Sequence, residues 1–203
     1  MSEKTKNYLS NLPTQLPLPD DVSYYELEKD RKIFLDFDID DPVFEIERLI
    51  FRWNMEDKDK PVEERKPIWI YIFSLGGYGY HMWSIVDIIS ASKTPVYTVN
   101  IGACMSAASI IFLSGHKRFM FPRAKVLIHQ GSNHIEGDAQ KVIDQTASYQ
   151  ADLKQMQEYI LARTSIPATL LKKKKNNDWE IDADFCLENN VCDVVVSSID
   201  EVL

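Results

Sequence analysis

No stretch of this chain is apolar for the about 18–20 residues that a bilayer span needs, so no membrane-crossing helix is expected. The first residues are polar and lead into proline-bearing sequence, not into the apolar core of a secretory signal. Cysteine is scarce. Cys104, Cys186 and Cys192 are scattered, with no CxxC pair and no Cys/His cluster, which argues against a disulfide framework and against structural zinc. A reducing, cytosolic setting is expected, with neither metal nor cofactor. Positive charge is also in deficit, at a net −8, so nucleic acid is not the expected partner. The one basic block, Lys172 to Lys175, is short and reads as a solvated helix end. No internal repeat is visible.

What is present is a globular composition. Apolar residues make up 45% of the 203 and aromatics 11%, enough for one large domain, or one domain with an appendage. Residues 1–20 carry Pro13, Pro17 and Pro19 among leucines and read as an extended arm. Lys32 to Phe37 alternates as a strand. Asp41-Pro42 is expected to start a helix, with Asp41 as the cap, whose apolar face is Val43, Ile46, Leu49, Ile50 and Trp53. The charged segment Glu56 to Lys66 reads as a solvated loop. Ile68 to Phe73 suits a strand covered on both faces, and it runs into Ser74-Leu75-Gly76-Gly77. A helix with Met82, Ile85, Val86 and Ile89 follows, then a buried strand from Val96 to Ile101.

After Gly102 the spacing predicts a short turn, with a helix of small and apolar residues beginning at Ser106 and reaching Gly115. Short strands are expected at Arg118–Phe121 and Lys125–His129. Strand and helix alternating through short links indicate an α/β fold with a largely parallel sheet. A long helix, from about 137 to 163, carries Val142, Thr146, Tyr149, Leu153, Met156 and Ile160 at alternating spacings of four and three. That pattern fits either packing against a second long helix or an ordinary core-facing helix. Two short helices, near 166–174 and 183–190, and a strand at 194–197 complete the chain.

Ligands on open α/β sheets gather at the C-terminal ends of strands, and three residues reach that edge. Gly77 follows one strand, in a turn where backbone N–H groups can face a ligand. Ser106 follows another. Its hydroxyl is either a helix cap or a nucleophile set beside unpaired N–H groups. His129 ends a third, as a structural residue or as the base a serine nucleophile needs. The acid that would orient that base is left open by composition and spacing.

Gly-x-x-x-Ser among small residues, then Ile-His-Gln 23 residues on, resembles the Clp protease proteolytic subunit (ClpP) family. The likeness starts near Arg31-Lys32-Ile33-Phe34-Leu35. It takes in the two-glycine turn, Arg118-Phe119, Gly137 opening the long helix, and the C-terminal helix and strand. The resemblance implies a ClpP/crotonase-like α/β fold of repeated ββα units over residues 21–203, with a protruding handle helix at about 137–163. It implies Ser106 as nucleophile, His129 as base and Asp178 as acid, with the N–H groups of Gly77 and Ala107 as oxyanion hole. Substrate would lie as an added strand between Gly77 to Gly79 and Gln130 to Ser132, with Gly76, Tyr78, Gly79, Gln130 and Gly131 as its binding residues. The implied partners are further copies of the chain, in heptameric rings stacked through the handle, an AAA+ ATPase unfoldase, and unfolded protein substrates. Trp69, Tyr71, Phe119 and Phe121 fall near the family's ATPase-docking pockets, or are simply buried in strands.

The sequence departs from the family at several points. Leu75 replaces a proline, Ala107-Ala108 a Met-Gly, Gly131 a proline, Asn177 an arginine before the aspartate, and Asn190 a glycine. No triad group is lost. A non-catalytic subunit of a mixed ring is the alternative these changes leave, and a crotonase-type acyl-CoA enzyme is a third, which would leave Ser106 unexplained.

Overall fold

A computed structural model describes residues 19–203 except 175. The chain runs α1 (Pro19–Lys29), β1 (Lys32–Leu35), α2 (Val43–Glu56), β2 (Ile68–Ser74), α3 (Gly79–Ala91), β3 (Val96–Met105), α4 (Ala107–Ser114), β4 (Lys117–Met120), β5 (Lys125–Ile128), α5 (Ala139–Arg163), α6 (Ala168–Lys174), β6 (Trp179–Ile181), α7 (Ala183–Glu188) and β7 (Val194–Val195). The expected arm lies mostly outside the described residues. Its last two positions open α1, with Pro19 at the first helical position, where its missing N–H costs nothing.

Strands β1-β2-β3-β4-β7 pair in that order, all in parallel. The apolar alternation of each strand sends one set of side chains to the helices. Ile33, Leu35, Ile68, Ile70, Ile72 and Val96 join residues of α2, α3 and α4 in the main core. The other set forms a smaller cluster of Tyr71, Val99, Phe119, Val196 and Val202, flanked by Phe34, Trp69, Tyr97 and Phe121. Buried Tyr71 donates to the Val202 carbonyl, and burial pushes its phenol up to about 12.

β3 is longer than the sequence suggests. It passes through Gly102 without a turn and ends at Met105. Its first half pairs with β4 and its second half, Ala103 to Met105, pairs with β5. Fully buried Asn100 sits at the fork. Its amide donates to the Lys125 carbonyl at 2.9 Å, and its carbonyl accepts from Gly102 N–H at 3.0 Å. The two-branched strand is what carries the chain out to the edge where Ser106 follows.

Other expectations are corrected. Asp41 does not cap α2. The flanking residue is Pro42 in helical conformation, and the Asp41 carboxylate faces His81 Nε2 at 3.1 Å instead. The charged loop after α2 is not wholly solvated, because Asp57 is 0% exposed. It accepts two hydrogen bonds from Arg31, one from Lys60 at 2.8 Å and one from Thr94 at 3.2 Å. Along α5, Ile160 is buried, Tyr149, Leu153 and Met156 are half-buried, and Thr146 is exposed. The helix therefore packs on the core at its C-terminal end, and its first ten residues are exposed except for half-buried Val142.

Candidate active site

Parallel pairing of β3 with β5 sets Met105 opposite Leu127, so the residues that follow each strand leave the sheet at the same edge. Those are Ser106 and His129. Ser106 N–H donates to the Leu127 carbonyl at 3.0 Å. Ser106 has φ +53° and ψ −123°, a conformation that is sterically costly for any residue with a Cβ. The turn is held from the other side by Ser109, whose N–H and hydroxyl both donate to the Ser106 carbonyl, at 2.9 and 2.6 Å. Ser106 flanks the start of α4 but makes no side-chain cap. Its hydroxyl lies 2.7 Å from His129 Nε2 instead.

Asp178 is brought in just before a strand the sequence did not announce. β6 runs antiparallel to β5, with Ile128 opposite Trp179. One step further along the ladder, His129 faces Asp178, and His129 Nδ1 lies 3.0 Å from Asp178 Oδ1. With the ring proton on Nδ1, donated to the carboxylate, Nε2 is free to accept from the serine hydroxyl. The Asp178 side chain is 75% exposed and that of His129 28%, so the carboxylate stands at the rim and the imidazole deeper in. The other histidines are elsewhere. His116 Nδ1 accepts from Val96 N–H, and burial holds its pKa below the usual imidazole range. His134 faces Glu136.

The two-glycine turn closes the other side. A Cβ on Gly76 would lie 2.7 Å from Ser106 Cβ and 3.2 Å from Ala107 N, so only glycine lets the turns touch. Gly76 is buried behind the serine, and its carbonyl accepts from Ile39 N–H at 2.9 Å. Tyr78 N–H donates to the Ile39 carbonyl at 2.8 Å, which completes a parallel bridge of Ile39 with Gly77. The alternation of that bridge turns the N–H of Gly77 itself away from Ile39. Leu75, just before the two glycines, is 68% exposed.

A groove of about 410 Å³ runs beside these groups, lined by Gly77, Tyr78, Gly79, Ser106, Ala107, His129, Gln130 and Gly131 among others. Gly76 is the one expected substrate-contacting residue that does not line it. The sequence did not single out Met82, Trp83, Ile110, Tyr149 or Met156 as groove residues. They come from α3, α4 and α5 and read as core positions until the helices are docked. A larger open cavity of about 690 Å³ lies at the N-terminal ends of β3 and β4. The arginines there are occupied, Arg118 by Asp193 and Arg163 by the Leu113 and Gly115 carbonyls. Among the described residues no cluster of three His, Cys, Asp or Glu is placed to hold a metal ion. No helix there is long and apolar enough to cross a membrane.

A sequence model of the family described as Clp protease matches residues 20–198. The ATP-dependent Clp protease proteolytic subunit 2 of Treponema denticola is 46% identical over 79 residues, which is 38% of this chain and 40% of that protein. The aligned stretch thus spans about two fifths of the relative's length.

Proposed function

The chain belongs to the Clp protease family, and on that footing we propose that it is a serine endopeptidase of the proteolytic-subunit type. In this reading Ser106 Oγ attacks a peptide carbonyl while its proton passes to His129 Nε2. Asp178 keeps the imidazole in the tautomer that accepts this proton and stabilises the imidazolium that results. The N–H groups of Gly77 and Ala107 receive the oxygen as it becomes anionic. His129 then gives the proton to the leaving amine, and water cleaves the acyl-enzyme by the same steps in reverse. The substrate lies extended between residues 77–79 and 130–132, held by main-chain hydrogen bonds.

The observation that carries this reading is the unbroken line of hydrogen bonds from Ser106 through His129 to Asp178, at 2.7 and 3.0 Å, starting from a strained serine. A serine that merely capped a helix would have no need of that backbone geometry. The assembly belongs to the same proposal. Copies of the chain form a heptameric ring, rings stack through α5, and an AAA+ ATPase feeds unfolded protein to the chamber.

Replacing the nucleophile is the direct test. Ser106→Ala should lower kcat on a short fluorogenic peptide by a factor on the order of 10⁴–10⁶, with circular dichroism unchanged. A fluorophosphonate probe should label the wild type at Ser106. Undiminished hydrolysis by Ser106→Ala would overturn the reading, and an unlabelled wild type would favour a structural subunit of a mixed ring.

A further inference from the structure

The helix-facing side of the groove beside Ser106 is mostly apolar. Met82 and Trp83 of α3, Ile110 of α4, and Leu153 and Met156 of α5 form its walls. Asp152 is the one carboxylate among its lining residues, and no lysine or arginine lines it. Asp152 follows Tyr149 by three positions on α5 and so shares its face. The Tyr149 hydroxyl donates to the Gln130 carbonyl at 3.1 Å, which ties this face of the helix to the loop after His129. Asp152 is exposed, and it makes no hydrogen bond or ion pair among the described residues. The nearest lysine in sequence, Lys154, is turned toward Glu158 at 3.6 Å.

An apolar wall ending in an unpaired carboxylate matches a particular shape of ligand. A long aliphatic stem can lie along Trp83, Leu153 and Met156, while a cationic head stays hydrated at the mouth and meets Asp152. Taking the serine-peptidase reading as its basis, we propose that Asp152 makes this groove selective for a lysine or arginine side chain on the residue whose carbonyl Ser106 attacks. That residue is the one whose side chain reaches the groove, because the groove opens directly onto Ser106, Gly77 and Ala107. Acidic side chains at the same position are repelled.

The test compares kcat/KM for two fluorogenic peptides that differ only at that residue, lysine against norleucine, which keeps the stem and loses the charge. An ion pair in contact with solvent gives an expected preference for lysine of about 2–5-fold. The preference falls toward one when salt is raised to about 1 M. It also falls to about one in Asp152→Asn, and below one in Asp152→Lys. Equal rates in the wild type, or a preference that persists in Asp152→Asn, would overturn the proposal and leave the peptidase reading intact, since both peptides are cut. If turnover is too slow to measure while Ser106 is still labelled, the same ratio is read from labelling rates with lysyl and norleucyl phosphonates. Failure of every peptide and every phosphonate to react overturns the peptidase reading, and this inference with it.

Discussion

At the scale of single residues, the site is built by positions that pay a local steric cost under outside constraint. Ser106 holds a positive φ because Leu127 and Ser109 fix the backbone on both sides of it. Gly77 lies so close to Ile39 that an added Cβ would sit 2.4 Å from its carbonyl oxygen and 2.7 Å from its nitrogen. Both obstacles are backbone and cannot rotate aside. Gly77→Ala should therefore cost about 1–3 kcal/mol of stability and reduce kcat, measured by thermal melts and peptide hydrolysis. Asp57 is the other demanding residue. The Arg31 guanidinium holds its carboxyl well below the usual carboxylate range, more than offsetting the opposing effect of burial. Asp57→Ala would take from the Arg31 side chain, 9% exposed, its buried carboxylate partner and leave only the half-exposed Glu56 at 3.5 Å. A loss of about 3–5 kcal/mol in urea denaturation is expected, with little direct effect on hydrolysis by the molecules that remain folded.

At the scale of elements, the three-residue strand β6 is the piece on which the placing of Asp178 depends. Trp179 is 8% exposed, and its ring packs edge-on against Phe185 at 5.4 Å between centroids. That packing anchors the residue next to Asp178. Trp179→Ala should cost about 3–5 kcal/mol. It should also lower kcat in the folded protein more than it changes KM, because Asp178 loses its register with His129. Steady-state kinetics well below the melting temperature check both numbers. The long strand β3 matters in the same way. Its fork at Asn100 lets one strand pair with β4 and then with β5, and only the second branch brings Ser106 beside His129.

At the scale of the whole molecule, the perturbed groups set how folding responds to pH. Asp57 and Asp193 both have depressed pKa values. For Asp193 burial pushes the other way, and the hydrogen bonds and charge of Arg118 prevail. Their stabilising contribution is complete above the unfolded carboxylate value near about 4 and is lost as pH falls through the folded values. His116 is lowered by burial, so the unfolded chain binds its proton first, and stability declines as pH falls below about 6.5. Unfolding free energy should thus fall in two stages on acidification, a shallow one below about pH 6.5 and a steeper one below about pH 4. Denaturant titrations across this range measure it. In Asp57→Ala the second stage should be shallower.

Local chemistry made much of this protein legible in its sequence. The apolar runs of β2 and β5, the face of α2, the line along α5 and the two-glycine turn all follow from periodicity and side-chain shape. Those features also carry Ser106 and His129 to strand ends. The left-handed residue after α7 is Asn190 at φ +52°, a conformation that asparagine tolerates. Other features have no local signature. From Ser23 to Lys29, α1 presents exposed residues on nearly every side, so it lacks an apolar period to read. Gly102 to Met105 is made of small residues and reads as a turn, until pairing with β5 draws it into the sheet. The burial of Asp57 depends on an arginine 26 positions earlier. The expectation of no membrane-crossing helix and no disulfide framework, and the candidacy of Ser106 and His129, come from composition and local pattern. Local pattern left open which carboxylate meets His129, and only the family resemblance pointed to Asp178; the contact itself, like the placing of Asp152 on the groove, is made by the tertiary structure. Both depend on strands and helices far apart in the chain being held in register, which no single segment encodes.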